Sequence, residues 1–439
     1  MKTKITEITE IKVDKLFGYY NYELIKSHDT MEPLLILYGD NGTGKTTILN
    51  MLISLLSPVP GEGFKTQLAN IKFSKFSIKF SNGLVIVAER EEPTLIGSYT
   101  VLISENGEVS EFLCKADEDN TIRQNANDPH ESSVLLLKKL KSLNLSIIHL
   151  SDSRRLTSFE DNNQEDIDWD IVQKELFIPS SRQMRKIKED RRQIDINASI
   201  SLFEKQIKNN VLNSTKIGDK NTNSIYSELL KRVSRSTNKV NKDDLSNLLY
   251  KLTEIKIESD KYFELGLLSE LEVQEIQNTI TNNIHSDLKS ELLFNILDPY
   301  IELLRSRLDA LKPIYETIKK FVSSVNDYFP NKYIEYNLSN GFTLKDSFID
   351  EPINFTSLSS GEKQLIILLC NVVNESENAS ILIIDEPEIS LNVKWQRKLI
   401  HTLLELSEGK NVQFVFSSHS IELLSSHRKS VCKLVHIEK

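Results

Sequence analysis

The chain contains 439 residues, of which 27% are charged, and its formal net charge is −9. This length predicts two or three lobes, and the acidic balance excludes a wholly basic surface, so nucleic acid would have to bind a local patch. Three widely spaced cysteines, Cys114, Cys370 and Cys432, are typical of a reducing cytosol and argue against disulfides or a zinc site. The N-terminus lacks the apolar core of a signal peptide, and no apolar run is long enough to span a bilayer, so we expect a cytoplasmic protein.

The N-terminal segment, residues 5–25, alternates between apolar and polar side chains, which predicts two antiparallel strands. It includes Tyr19 and Tyr20. These rings either stack on an adenine or form cross-strand aromatic pairs, and we favour the pairs because they need no ligand.

The sequence Gly39-Asp40-Asn41-Gly42-Thr43-Gly44-Lys45-Thr46 lies between the apolar runs 34–38 and 48–56. It predicts a strand, a glycine loop and a helix that ends before Pro58. The glycines let backbone N–H groups face a phosphate, and the start of the helix adds further donors. Lys45 can reach the β- and γ-phosphates, and the hydroxyl of Thr46 can ligate Mg²⁺. The candidate nucleotide ligands in this loop are Gly39, Asn41, Gly42, Gly44, Lys45, Thr46 and Thr47.

A β-meander is predicted over residues 70–113, because Asn-Gly pairs at 82–83 and 106–107 each separate two alternating runs. The polar residues 115–130 are expected to form a surface loop. Residues 146–150 predict a buried strand that leads into Ser151-Asp152-Ser153-Arg154-Arg155. These charges face the nucleotide if the strand joins the glycine-loop sheet, or are solvated if they form a surface loop, and both interpretations stay open.

Residues 165–330 have few glycines and periodic apolar side chains, which predicts a helical insertion whose last helices are kinked or broken at Pro299 and Pro313. The densest basic cluster of the chain lies at residues 182–192. It either contacts nucleic acid or an acidic partner or, as we favour, forms a solvated helix face. A further hairpin at Asn340-Gly341 is expected to return the chain to the nucleotide-binding head.

A second group of polar residues follows. Ser359 and Glu362 have capping-box spacing, so a helix begins there, and Ser359 and Gly361 at its start also suit an anion. The apolar run 381–384 ends in Asp385 and Glu386, either as a solvated acidic turn or as acids delivered to a ligand-binding sheet edge. In the functional interpretation Asp385 holds Mg²⁺ through a water molecule, and Glu386 accepts the proton of the attacking water. His419 ends another apolar run and would contact the γ-phosphate or position water, unless it is an ordinary surface residue.

In this order, the motifs resemble the ATPase heads of the ABC superfamily. The resemblance implies an α/β fold: a P-loop ABC-type head, with a mixed sheet plus an antiparallel β-lobe and a helical insertion. It implies ATP and Mg²⁺ as cofactors, Glu386 and His419 as catalytic residues, and Thr46 and Asp385 at the metal. It also implies a head-to-head homodimer or a higher oligomer, in which Ser359 and Gly361 of one copy contact the γ-phosphate held by the other. Residues Ser390–Asn392 match the D-loop, whereas no clear Q-loop glutamine is present, and residues 151–155 lie at about the position where the resemblance would place it.

The helical insertion makes the chain most similar to the AAA_15/AAA_21 ATPases of the SMC/RecF/OLD branch, including components of the anti-phage systems PARIS, Septu and retron-linked operons. We therefore expect three parts: the first half of the head at 1–160, the insertion at 161–330, and the second half of the head at 331–439. About twenty residues follow His419, too few for a nuclease domain. The resemblance thus implies a sensor that controls a separate nuclease or toxin. The alternative is a RecF- or SMC-like DNA-repair clamp.

Overall fold

The computed structural model describes residues 7–27, 29–30, 32–60, 63–123, 132–150, 156–158, 196–214, 242–283, 287–377 and 379–438. The chain divides into two compact units, Met1–Ile196 with Ser359–Lys439, and Asn197–Leu358. The segment Ser151–Arg155 and the basic cluster at 182–192 lie outside the described residues. Across the described ranges, no helix combines the length and apolar character that a membrane span needs.

The strands, in chain order, are β1 (Ile8–Leu16), β2 (Tyr20–Ile25), β3 (Leu34–Tyr38), β4 (Lys75–Phe80), β5 (Val85–Glu89), β6 (Tyr99–Glu105), β7 (Glu108–Cys114), β8 (Ile147–Leu150), β9 (Leu156–Ser158), β10 (Lys332–Asn337), β11 (Gly341–Asp346), β12 (Pro352–Ile353), β13 (Ile381–Asp385), β14 (Gln413–Ser418) and β15 (Val431–Lys433). The helices are α1 (Lys45–Leu56), α2 (Phe64–Asn70), α3 (Ser132–Ser142), α4 (196–214), α5 (Lys242–Glu264), α6 (Gln274–Asn283), α7 (Asp287–Tyr328), α8 (Ser360–Glu375), α9 (Val393–Leu406) and α10 (Ile421–Leu424).

The first unit contains an antiparallel sheet in the order β2-β1-β4-β5-β6-β7. Both Asn-Gly hairpins predicted from the sequence are confirmed. At the second of them, Asn106 and Gly107 have φ of 52° and 88°. Positive φ at both central residues gives the turn the twist that two paired strands require. The two N-terminal strands are also confirmed, since β1 pairs antiparallel with both β2 and β4.

The first unit also contains a second, mostly parallel sheet in the order β15-β3-β14-β13-β8-β9. Strands β3, β14, β13 and β8 run parallel, and every residue of β13 is buried. Because parallel strands end at the same edge of a sheet, the loops after β3, β13 and β14 lie side by side. The mixed α/β fold with an antiparallel lobe, expected from the sequence, is confirmed.

Helix α1 begins at the glycine loop and ends at Leu56, with Ser57 as its C-cap directly before Pro58, as predicted. Its apolar residues, among them Ile48, Leu52 and Leu55, belong to the core shared with both sheets. The buried Lys65 donates hydrogen bonds to the carbonyl oxygens of Ser54, Leu55 and Ser57 at the end of the helix. This lysine therefore satisfies carbonyl groups that a helix end leaves without partners.

The second unit contains the helices α4 to α7 and the three-stranded antiparallel sheet β10-β11-β12. The sequence predicts that Pro299 and Pro313 kink or break the last helices, and no break occurs, because both lie inside the 42-residue helix α7. Each proline removes only one N–H donor from the helix. Helix α7 packs against α5 and buries apolar side chains such as Leu308 and Ile318. This burial outweighs the loss of the two donors.

The β10–β11 hairpin forms as predicted but belongs to the helical unit rather than to the head. Two contacts give the reason. Asn326 of α7 bonds both the N–H and the carbonyl oxygen of Ile334. Phe342 of β11 lies against Phe203 and Phe321, with ring centroids 5.3 and 5.2 Å away. The hairpin therefore continues the core of the helices.

Candidate functional site

Three loops meet at one edge of the parallel sheet, because β14 lies between β3 and β13. The loop after β3 holds the glycine motif, the loop after β13 begins with Glu386, and the loop after β14 holds His419. Pairing is in register up to the last residues, with Asp385 opposite Ser417, and Ser418 opposite Tyr38. The sheet therefore brings together groups that are more than 300 positions apart in the chain.

The glycine loop has the backbone that its sequence predicts. Gly42 and Gly44 have φ of 82° and 94°, a region that favours glycine, and Gly44 is the N-cap of α1. At Gly44 a Cβ would also lie 2.9 Å from Leu16 Cδ2. Both the positive φ and this close approach therefore disfavour a side chain at Gly44. A Cβ at Gly39 would lie 2.8 Å from Thr43 Oγ1. The loop thus needs glycine for its conformation and for close packing.

The ammonium group of Lys45 is buried within this loop. Its Nζ donates hydrogen bonds to the carbonyl oxygens of Gly39 at 2.7 Å and Asp40 at 2.9 Å. Among the described residues no carboxylate lies within ion-pair distance of it. A buried cation held only by neutral carbonyls, at the N-terminus of a helix, fits an anionic ligand such as a triphosphate.

The first metal-ligand candidate, Thr46, meets the second, Asp385. Thr46 Oγ1 donates a hydrogen bond of 3.2 Å to Asp385 Oδ1, and Ser417 Oγ donates to the same oxygen. A hydroxyl and a carboxylate oxygen at this distance are the hard donors that Mg²⁺ prefers. These residues therefore fit the metal that the sequence predicts.

The two candidate catalytic residues are neighbours. His419 Nδ1 lies 3.5 Å from Glu386 Oε1, and their side chains are 47% and 23% exposed. Glu386 has a positive φ of 44°, and its N–H donates to the carbonyl oxygen of Ser417. A strained backbone directly after a buried strand is typical of functional positions. The partly exposed carboxylate can reach a water molecule, as a general base requires.

A third acid of this loop, Glu388, is only 4% exposed. Its Oε1 accepts hydrogen bonds from Ser418 Oγ at 2.6 Å, the His419 N–H at 3.0 Å and the Ser420 N–H at 3.3 Å. The same oxygen lies 3.5 Å from His419 Nδ1. Glu388 therefore connects the loop after β13 to the loop after β14.

The predicted capping box is present at the start of α8. Ser359 is the N-cap and accepts from the Glu362 N–H, while Glu362 Oε2 accepts from the Ser359 N–H. A Cβ at Gly361 would lie 2.5 Å from the carbonyl oxygen of Ser390, whose φ is 64°. The described contacts of this motif are thus with its own helix and with the D-loop segment, and Ser359 itself is exposed.

The family model AAA_15, described as an AAA ATPase domain, matches residues 8–424. The chain belongs to the AAA_15 family. The similarity to AAA_15 ATPases and the ATPase class, both expected from the sequence, are confirmed. The glycine loop, the Thr46–Asp385 pair and the partly exposed Glu386 agree with them.

Two curated proteins share shorter segments with this AAA_15 chain. The Retron Vc95 probable ATPase of Vibrio cholerae serotype O1 biovar El Tor is 26% identical over 136 residues, which are 28% of this chain and 25% of that protein. The molybdate import ATP-binding protein MolC of Haemophilus influenzae is 32% identical over 65 residues, or 15% of this chain and 24% of that protein. The chain thus matches about a quarter of the length of each relative.

Among solved structures, the SMC head domain of Pyrococcus furiosus, bound to a domain of ScpA, has a TM-score of 0.39 at 13% identity, covering 99% of this chain and 96% of that one. The SMC head domain of Thermotoga maritima has a TM-score of 0.36 at 10% identity, covering 99% and 100%. The membership in AAA_15 therefore rests on the family model.

Aromatic residues flank the glycine loop of this AAA_15 protein. The predicted cross-strand aromatic pairs are wrong, because the nearest described aromatic neighbours of Tyr20 are Tyr19, at 4.3 Å between ring centroids, and Tyr22, at 5.4 Å, in the same strand and its turn. Across the strands their partners Leu16 and Val13 are aliphatic. The Tyr22 hydroxyl donates to the carbonyl oxygen of Thr43, and burial raises the pKa of Tyr22 to about 12. This tyrosine thus supports the loop as a neutral donor.

Sequence reasoning missed four polar residues of the AAA_15 site: Tyr22, Glu388, Ser417 and Ser418. A signal existed for three of them. Ser417 and Ser418 are hydroxyl residues at the end of a strongly apolar strand, and Glu388 is a third acid beside Asp385 and Glu386. Their roles depend on which strands are neighbours, which the sequence did not specify.

Proposed function

We propose that this AAA_15 chain is an ABC-type switch that binds ATP with Mg²⁺ and hydrolyses it at the edge where β3, β13 and β14 end. The observation that carries the proposal is the hydrogen bond between Thr46 and Asp385, because it joins the glycine loop to the acidic loop. The buried Lys45, which has carbonyl oxygens as its hydrogen-bond acceptors, supplies the complementary charge.

In this proposal the glycine loop binds and orients the phosphates. Backbone N–H groups of the loop, together with Asn41, Thr47 and the Lys45 ammonium, face the β- and γ-phosphates. Thr46 and Asp385 hold Mg²⁺, which when bound neutralises charge on the phosphates. Because these groups are fixed by the helix start and by strand register, little rearrangement is needed for catalysis.

Glu386 is the proposed general base, and His419 is the proposed residue that senses the γ-phosphate or orients water. The carboxylate is partly exposed and lies 3.5 Å from the imidazole Nδ1. It can therefore take a proton from water while the histidine, within ion-pair distance, fixes its orientation. The Ser417 carbonyl and hydroxyl oxygens both accept from the Glu386 N–H, which holds the start of this loop in place.

Ser359 and Gly361, at the start of α8, complete the site of a second copy in a head-to-head homodimer. Support comes from the exposed position of Ser359 at a helix N-terminus, where anions bind well. Because Gly361 has no side chain, the Ser390 carbonyl oxygen lies close to the start of this helix. A displacement of the helix would therefore also displace the D-loop segment of the same copy. Closure of a dimer would then be transmitted to the acidic loop.

Ser359→Arg tests this composite site. The arginine would block a partner's phosphate, so we expect the variant to bind ATP within about threefold of the parent while it loses ATP-dependent dimerisation. The background is Glu386→Gln, which should trap an ATP-bound dimer visible by analytical ultracentrifugation. Loss of ATP binding together with the dimer would instead place Ser359 in the nucleotide site of its own copy.

We further propose that the switch is the sensor of an anti-phage system and controls a separate nuclease or toxin. The support is the similarity to the Retron Vc95 probable ATPase over 28% of the chain. Phage challenge of cells that carry the chain with its neighbouring genes tests the proposal, with Glu386→Gln as the inactive control. Equal plaque counts for the two strains would contradict it.

A further inference from the structure

A buried acid beside the site has no role in the hydrolysis proposed above. Glu388 follows Glu386 by two positions, is 4% exposed, and accepts a hydrogen bond from Ser418, the last residue of β14. Burying a carboxylate costs several kcal/mol unless hydrogen bonds compensate the loss of water. The hydrogen-bond donors to the Glu388 carboxylate therefore show which part of the chain this residue fixes in place.

Among the residues that the structure describes, the donors to the Glu388 carboxylate all belong to one short segment, residues 418–420, which we call the switch segment. The Ser418 hydroxyl and the N–H groups of His419 and Ser420 converge on the single oxygen Oε1, at 2.6, 3.0 and 3.3 Å. Carboxylates that accept from several backbone N–H groups are strong anchors, because charge strengthens each bond. This anchor fixes the backbone on both sides of the His419 side chain.

The anchored segment determines where the imidazole lies. His419 Nδ1 is 3.5 Å from Glu388 Oε1 and 3.5 Å from Glu386 Oε1. The side chain is 47% exposed, so surrounding packing restrains it little. The segment is held from its other side by Gln396, whose Oε1 accepts from the Ser420 hydroxyl. Loss of Glu388 would remove three of the hydrogen bonds that hold the switch segment beside Glu386.

We propose that Glu388 is a positioning residue, which fixes the switch segment so that His419 stays next to the general base Glu386. The inference rests on the proposed function for its effect on turnover, but not for its effect on the switch segment. Two independent measurements therefore test it, namely amide hydrogen exchange in the nucleotide-free protein and steady-state ATP hydrolysis.

Hydrogen exchange of the peptide that covers residues 417–424 gives the first readout. In Glu388→Ala the His419 N–H loses its acceptor, whereas the Ser420 N–H keeps a second one, Ser418 Oγ at 3.0 Å. We therefore expect exchange to accelerate about tenfold or more at His419 and less at Ser420. Glu388→Gln keeps an acceptor oxygen and should stay within about threefold of the parent. Ser418→Ala removes one donor to Glu388 and one acceptor of the Ser420 N–H but leaves the bond from the His419 N–H, so exchange at His419 should be intermediate. This variant covers the case in which Glu388→Ala does not fold.

Kinetics give the second readout. Glu388→Ala should lower kcat about tenfold to a hundredfold and change the KM for ATP less than about threefold, as expected for loss of a supporting residue. Glu388→Gln should recover most of kcat. In a His419→Ala background, Glu388→Ala should lower kcat less than about twofold further, because the residue it positions is already absent.

Gln413→Ala is the matched control, since it removes a buried polar anchor at the other end of the same strand β14. It should lower stability without changing kcat or exchange at residues 418–420. Unchanged exchange in Glu388→Ala, or full multiplicative losses in the double variant, would overturn the proposal. If the parent shows no turnover that depends on Glu386, the proposed function fails, while the exchange measurement still decides the role of Glu388.

Discussion

The two ends of the parallel sheet both carry polar side chains, but they use them differently. At the amino end, Gln413 bonds both the N–H and the carbonyl oxygen of Ile8, at 2.7 and 2.9 Å. Nearby, Glu32 Oε2 lies 3.0 Å from His427 Nδ1 and accepts a hydrogen bond from Ser430. These networks are closed, since each group finds its partner within the chain. They stabilise the fold and leave little for a ligand to bind.

At the carboxyl end the polar groups are open. Lys45 has carbonyl acceptors but, among the described residues, no acid as a partner, and Thr46, Glu386 and His419 are partly or fully exposed. The contrast teaches that burial alone does not identify a site, because Gln413 is as buried as Asp385. Charges that the chain leaves uncompensated are what mark the carboxyl end as the place for an anionic ligand.

The largest expected effect comes from Glu386→Gln at the open end. Loss of the general base should lower the rate of ATP hydrolysis about 10²- to 10⁴-fold while ATP binding is retained. Phosphate release at saturating ATP measures the rate. The control is Glu422→Gln, at an exposed acid paired with Arg397, which should match the parent. Hydrolysis at the parent rate in Glu386→Gln would assign the base to another residue.

Lys45→Ala should have the next largest effect. Removal of the uncompensated ammonium is expected to weaken ATP binding by about a hundredfold, the value of a strong charge-assisted hydrogen bond. Equilibrium dialysis with labelled ATP measures this directly. Lys75→Ala removes a surface lysine paired with Glu89 and should bind ATP normally. Undiminished retention of ATP by Lys45→Ala would contradict the assignment of the glycine loop.

Gln413→Ala probes the closed end. It leaves the N–H and carbonyl groups of Ile8 buried without their partner, so the free energy of unfolding should fall by about 1–3 kcal/mol. Urea denaturation measures the loss, and kcat should remain that of the parent. A fall in kcat without a fall in stability would mean that the amino end takes part in function, and the comparison of the two ends would fail.

The smallest expected effect, counted per pH unit, is a pH dependence of the free energy of unfolding caused by Lys65, which supports the end of α1. Burial lowers the pKa of Lys65 from 10.5 to about 7. Between these values the unfolded chain binds a proton that the folded chain lacks, so the stability of the parent should rise with pH. The free energy of unfolding of the parent, measured relative to that of Lys65→Met, should rise by less than about 1.4 kcal/mol per pH unit from pH 7 to 9. Parallel urea denaturation curves for the two proteins over this range would contradict the expectation.

Much of the site could be predicted because its signals are local. A glycine loop between a strand and a helix, an Asn-Gly turn, and a cap three residues from its partner are all decided within a few positions. The prolines of α7 show the limit of such reasoning. A local rule predicted a kink or a break at Pro299 and Pro313, and no break occurs, because long-range packing against α5 stabilises a continuous helix.

The sequence by itself determined the kind of chemistry, since it placed a phosphate loop, a pair of acids and a histidine at the ends of apolar runs. Only the tertiary structure decided which of these meet. It brought Thr46 to Asp385, placed the switch segment on Glu388, and set Gly361 against Ser390. The physical reason is that strand order and register, which arise from packing of the whole sheet, position groups that are far apart in the chain.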